Sequence, residues 1–76
     1  MPILLEENGF KFFFYANEHA PMHIHIEKGD EYAKIDLQTM YVVKNFMKPA
    51  TLKKALAIAG QHRTGFQEKW DEYFTG

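Results

Sequence analysis

Seventy-six residues make one domain near the lower end of what folds unaided, and the absence of cysteine excludes a disulfide framework and a thiolate zinc finger alike. A net charge of −1, with basic and acidic residues intermixed, argues against the broad electrostatic footprint of a general DNA binder but leaves room for a local RNA contact. Seven Phe, four Tyr and one Trp are dense for this length, so stability must come from packed rings, with ring surface to spare for a partner.

The chain opens MPILLEEN, which lacks the positive region and long apolar stretch of a secretory signal. No run is long enough for a membrane span, so a cytoplasmic location without membrane contact is expected. Asn8–Gly9 is the strongest local hairpin signal, because both residues tolerate the positive φ of a type I′ turn. That turn pairs Leu5 with Phe12 and Ile3 with Phe14 on one face. On the other it pairs Leu4 with Phe13 and Glu6 with Lys11.

A second hairpin is expected around Gly29–Asp30. It sets Ile26 against Ala33 and Ile24 against Ile35 on an apolar face, and His25 against Lys34 and His23 against Asp36 on the opposite one. A turn slid to Lys28–Gly29 would set His25 against Tyr32 and His23 against Lys34, with the same face assignment, since side chains alternate along a strand. Residues 40–44, MYVVK, predict a further short strand.

Pro49 suits the first position of a helix, where its missing N–H costs nothing. Beyond it Ala55, Leu56, Ala59, Phe66, Trp70, Tyr73 and Phe74 share one stripe at 100° per residue. Gly60 and Gly65 each weaken a helix by roughly 1 kcal/mol relative to Ala. One long helix bent near residues 60–65 is expected, with a break there as the alternative.

The fold class is therefore α+β: an antiparallel sheet of four to five strands, including two N-terminal hairpins, covered on one face by the long C-terminal helix. The single domain runs over residues 1–76. The covered face should carry Ile3, Leu5, Phe12, Phe14, Ile24, Ile26, Ala33 and Ile35. Leu4, Lys11, Phe13, Tyr15, His23, His25, Tyr32, Lys34 and Asp36 fall on the other.

That second face holds the chemistry. His19, His23 and His25 lie within seven positions, and His23 and His25 project from the same side of one strand. Three imidazoles plus water form a recognised zinc arrangement, with Glu18, Glu27 or Asp36 as a further ligand, so a divalent metal such as zinc at His19, His23 and His25 is one reading. Acid–base chemistry is another: Asp36 would orient His23, while Lys34 beside His25 would stabilise charge on a phosphate oxygen. His23, His25, Lys34 and Asp36 are then the catalytic candidates, and Phe13, Tyr15 and Tyr32 the platforms on which a base stacks.

A third reading is a binding face without chemistry, since a half-aromatic, half-charged surface is what a protein interface looks like. Phe13, Tyr15, His19 and Tyr32 would then contact a ligand, a protein partner or a second copy of the chain. Ordinary solvent-facing histidines would need none of these explanations. Arg63 falls inside the helical stripe, where it either lays its stem on apolar surface or reaches a carboxylate or bound anion.

The stretch GFKFFFYANEHAPMHIHIEKGDEYAKI resembles the opening of a small prokaryotic family, domain of unknown function 4160. The family pattern is matched by Gly9, Phe10, Phe14, Tyr15, Asn17, Glu18, His19, Pro21, His23, His25, Gly29, Ala33 and Lys34. Farther on it is matched by Pro49, Leu52, His62, Arg63, Trp70, Tyr73 and Phe74. Met22 stands where the family usually has a second proline, and Gly65 interrupts a helix that is more regular in relatives. The resemblance implies a component of a toxin–antitoxin-like pair, often encoded beside another small gene, that binds a partner or ligand. A small ribonuclease, metal-free or metal-assisted, is the alternative it permits.

Overall fold

Asn8 and Gly9 both take positive φ, 52° and 82°, and turn β1 (Ile3–Glu7) directly into β2 (Phe10–Phe13). This is the type I′ geometry that an Asn–Gly pair adopts at little steric cost. The structure, a computed structural model, describes residues 3–74. Gly29, at φ 60°, turns β3 (His23–Lys28) into β4 (Glu31–Asp36) in the first of the two expected registers, with His23 opposite Asp36 and His25 opposite Lys34. A turn at residues 37–41 leads to β5 (Val42–Asn45), one position later than the sequence suggests at its end. The five strands form one antiparallel sheet in chain order.

The first hairpin departs from expectation at its open end. Leu5 faces Phe12 and Glu6 faces Lys11, but an irregularity between Ile3 and Leu5 sets Ile3 opposite Phe13 rather than Phe14. An extra residue in one strand reverses the alternation beyond it. Ile3 is accordingly exposed, and Leu4 packs against the core from which strict alternation would have turned it away.

Two helices, not one, follow the sheet: α1 (Pro49–Gln61) and α2 (Arg63–Phe74). They meet at His62, whose φ of −106° and ψ of 10° lie outside the helical well. The backbone ladder is nearly continuous across it, with His62 N–H bonded to Ile58 O at 3.2 Å and Phe66 N–H to His62 O at 2.9 Å. Gly60 and Gly65 are exposed, and beyond the adjoining backbone nothing lies within 4 Å of where their Cβ would be. They weaken this stretch through backbone freedom rather than making room for a neighbour.

The helices cover the face bearing Phe12, Phe14, Ile24, Ile26, Ala33 and Ile35, all buried. Phe66 stacks on Phe12 at 5.5 Å between ring centroids, and Trp70 meets Phe14 edge-on at 5.3 Å. Each fully buried Phe or Ile contributes about 1.5–3 kcal/mol, which is how so short a chain does without staples. Ile58, Leu37, Met47 and Phe10 complete the core, whereas Tyr73 of the expected stripe is exposed. Among the described residues no helix is long and apolar enough to cross a membrane.

Candidate functional site

Strand alternation sends Ile24 and Ile26 into the core and His23 and His25 to the opposite face. There the histidines are not wet. Residues 14–22, which join β2 to β3, fold back so that Glu18 lies over both imidazoles. Its Oε1 is 2.7 Å from Nε2 of His25, and its Oε2 contacts Nε2 of His23. The side chains of Glu18, His23 and His25 are only 9%, 8% and 5% exposed. Within the loop, Tyr15 N–H donates to Glu18 Oε1 at 3.2 Å, bracing the carboxylate from its own segment.

The outward nitrogens of the imidazoles are occupied too. Nδ1 of His23 lies 2.8 Å from Pro21 O, and a carbonyl can only accept, so Nδ1 carries the proton. Nε2 of His23 is buried against Glu18 Oε2 and makes no hydrogen bond despite the contact. His25 Nδ1 lies 2.7 Å from the Tyr32 hydroxyl. Burial disfavours charge on His25 and lowers its pKa against the pull of Glu18. Burial would raise the Glu18 carboxyl, but hydrogen bonding from His25 and the field of His23 outweigh it and lower the pKa. In the neutral ring His25 Nε2–H therefore donates to Glu18, and Tyr32 O–H donates to His25 Nδ1. Desolvation raises the Tyr32 pKa, which keeps that proton in place.

Other sequence candidates are placed differently. His19 is exposed and takes no part in the cluster; its neighbour Glu18 does. Asp36 faces His23 in register, but its carboxylate accepts from Gln38 and Thr39 N–H at 2.7 and 2.9 Å and so shapes the β4–β5 turn. Those bonds, that to Thr39 foremost, lower its pKa. Arg63 is engaged within the protein: its Nε donates to Leu37 O at 3.0 Å and its Nη2 to Gln38 O, tying α2 to the same turn. Phe13 is buried beneath the loop and stacks on His25 at 5.4 Å, with Tyr15 at 4.4 Å from the same imidazole.

The ring stack continues across the sheet from His25 to Tyr32 at 5.9 Å and on to Phe46 at 6.4 Å, with interplanar angles of 23° and 26°. Beside it Lys34 stands directly opposite Lys44, and among the described residues neither has an ion-pair partner. The stack ends at the sheet edge, where Tyr41, Val43 and Phe46 are 72%, 47% and 70% exposed. Sequence reasoning passed over these three. The one available signal was the isolated aromatic in KNFMKP, an apolar residue with no periodic partner.

Fold and site together define a small α+β module with a buried Glu–His–His centre on one sheet face and an apolar rim at one sheet edge. The chain belongs to the family described as domain of unknown function 4160 (DUF4160), whose family model matches residues 9–71. No curated protein and no solved structure matches it.

Proposed function

We propose that this protein is a binding component that docks a partner protein along β5, as one member of the toxin–antitoxin-like pair that the family resemblance implies. The observation that carries this reading is the exposure of Val43 on an edge strand together with Tyr41 and Phe46 at its two ends. An edge strand offers unpaired N–H and C=O groups to an incoming strand, and exposed apolar side chains beside it supply the contact area. Lys34 and Lys44 add a preference for a partner with acidic side chains at that register. The other edge, β1, carries Glu6 and Glu7 and discourages the same use.

The test is co-expression with the product of the neighbouring gene, followed by co-purification. The wild-type chain should carry its partner through, and Phe46→Asp or Tyr41→Asp should release it while the circular dichroism spectrum stays unchanged. Undiminished complex with both variants would refute docking along β5.

A second reading has its own support. The row His25–Tyr32–Phe46 beside Lys34 and Lys44 suits a short single strand of RNA, with bases on the rings and phosphates on the lysines. Cleavage of that RNA is the less favoured form, because the imidazoles needed for proton transfer are closed under Glu18. Fluorescence anisotropy with a labelled oligonucleotide, at several salt concentrations, separates this reading from protein docking.

A further inference from the structure

We propose that Glu18, His23 and His25 form a binding site for one divalent transition-metal ion of the zinc class. The site lies under the 14–22 loop, away from the apolar rim at β5, and the inference does not depend on the docking reading.

Three observations carry it. The donor atoms of the three residues all lie within 4.8 Å of one another, so they converge on a common point. His23 is 6% exposed, and its buried Nε2, aimed into that point against Glu18 Oε2, has no hydrogen bond, while Nδ1–H is committed to Pro21 O. A buried imidazole nitrogen without a hydrogen bond, set beside a carboxylate away from water, is a place where a cation is stabilised. Each imidazole is also backed on its far nitrogen, His23 by Pro21 O at 2.8 Å and His25 by the Tyr32 hydroxyl at 2.7 Å. A partner on the far nitrogen is the support that metal-bound histidines almost always have, fixing the ring so that Nε2 presents its lone pair.

The residue types set the ligand class. Two imidazoles and one carboxylate suit zinc, cobalt(II) or iron(II), whereas magnesium and calcium prefer all-oxygen sites. Ligands at about 2.0–2.2 Å from a tetrahedral ion lie roughly 3.3 Å apart. Glu18 Oε1 and His25 Nε2, now at 2.7 Å, would have to part by less than an ångström. Glu18 takes the place that the sequence assigned to His19. A fourth position remains for water.

Binding requires one change that ordinary surface histidines would not show. The proton on His25 must leave Nε2, which becomes a ligand atom, and Nδ1–H then donates to the Tyr32 oxygen. His23 already holds its proton on Nδ1 and keeps that tautomer.

The test uses tag-free protein stripped with chelator and titrated with zinc by calorimetry, alongside 15N spectra of the histidine rings. The expected result is saturation at one equivalent, perturbation of His23 and His25 but not His62, and transfer of the His25 proton from Nε2 to Nδ1. Cobalt(II) in place of zinc should give visible absorption of a tetrahedral site. Glu18→Gln and the milder Tyr32→Phe should each weaken binding about tenfold or more, and His19→Ala should leave it unchanged. If Glu18→Gln fails to fold, Tyr32→Phe and the ring spectra still decide. Absence of saturable binding, saturation without a tautomer change at His25, or loss of binding in His19→Ala would overturn the proposal.

Discussion

Glu18 Oε1 lies 2.7 Å from Nε2 of His25, so a loop carboxylate closes over a strand imidazole seven residues further along the chain. This contact buries Phe13 and both sheet histidines, and it leaves the accessible surface of that face to exposed Tyr15, half-buried Tyr32 and Lys34, and the β5 edge. A face that composition alone marks as wet and reactive is thereby divided into a closed centre and an open rim.

Removing the carboxylate should be felt even without metal. Glu18→Ala takes away the acceptor of His25 Nε2–H and uncovers two imidazoles, at a cost of about 2 kcal/mol. His19→Ala should stay within about 0.5 kcal/mol of wild type, since His19 is exposed. Urea denaturation of the metal-free proteins measures both.

The Lys34–Lys44 pair predicts a gain. Like charges directly opposite each other destabilise a sheet, and opposite charges stabilise it by roughly 0.2–1 kcal/mol. Lys44→Glu should therefore raise the urea midpoint at low salt, with the gain shrinking as salt is added. The same substitution should weaken any contact with RNA or an acidic partner.

Arg63 should behave as a tie rather than a ligand-binding group. Its guanidinium joins Leu37 O and Gln38 O, and Gln67 Nε2 reaches Leu37 O at 2.7 Å. Arg63→Ala should cost about 1–3 kcal/mol and leave zinc affinity as it was. Thermal unfolding and calorimetry check the two halves separately.

Asp36 gives the pH dependence a sign. Its pKa is lowered from 3.8 in the folded protein, chiefly by the Thr39 and Gln38 N–H groups. A carboxyl with a depressed folded value contributes stability that is fully present above its unfolded pKa and is lost as pH falls through the folded value. Asp36→Asn should flatten that part of the acid limb, below about pH 4, in a series of urea midpoints against pH.

Much of the fold was legible because its turns carry local instructions. Asn8–Gly9 and Gly29 set turn geometry, and the period-two pattern of HIHI and YAKI then admitted one face for each side chain. The bulge at Ile3–Leu5 left no such mark, and neither did the choice of His62 as the bend, since either flanking glycine could have taken it. The centre was half legible: the strand placed His23 and His25 together, but an irregular loop has no period to say whether Glu18 or His19 turns inward. Tyr41, Val43 and Phe46 were hidden for another reason. Apolar residues near a strand suggest burial, and exposure at a sheet edge becomes visible only once strand order is known.

The most direct measurement is an amide shift map of the 15N-labelled chain mixed with the product of its neighbouring gene. Docking along the sheet edge predicts the largest changes at residues 41–46 and at Tyr32 and Lys34, with α1 and α2 unmoved. Changes confined to the helices, or to the 14–22 loop with β5 silent, would contradict it.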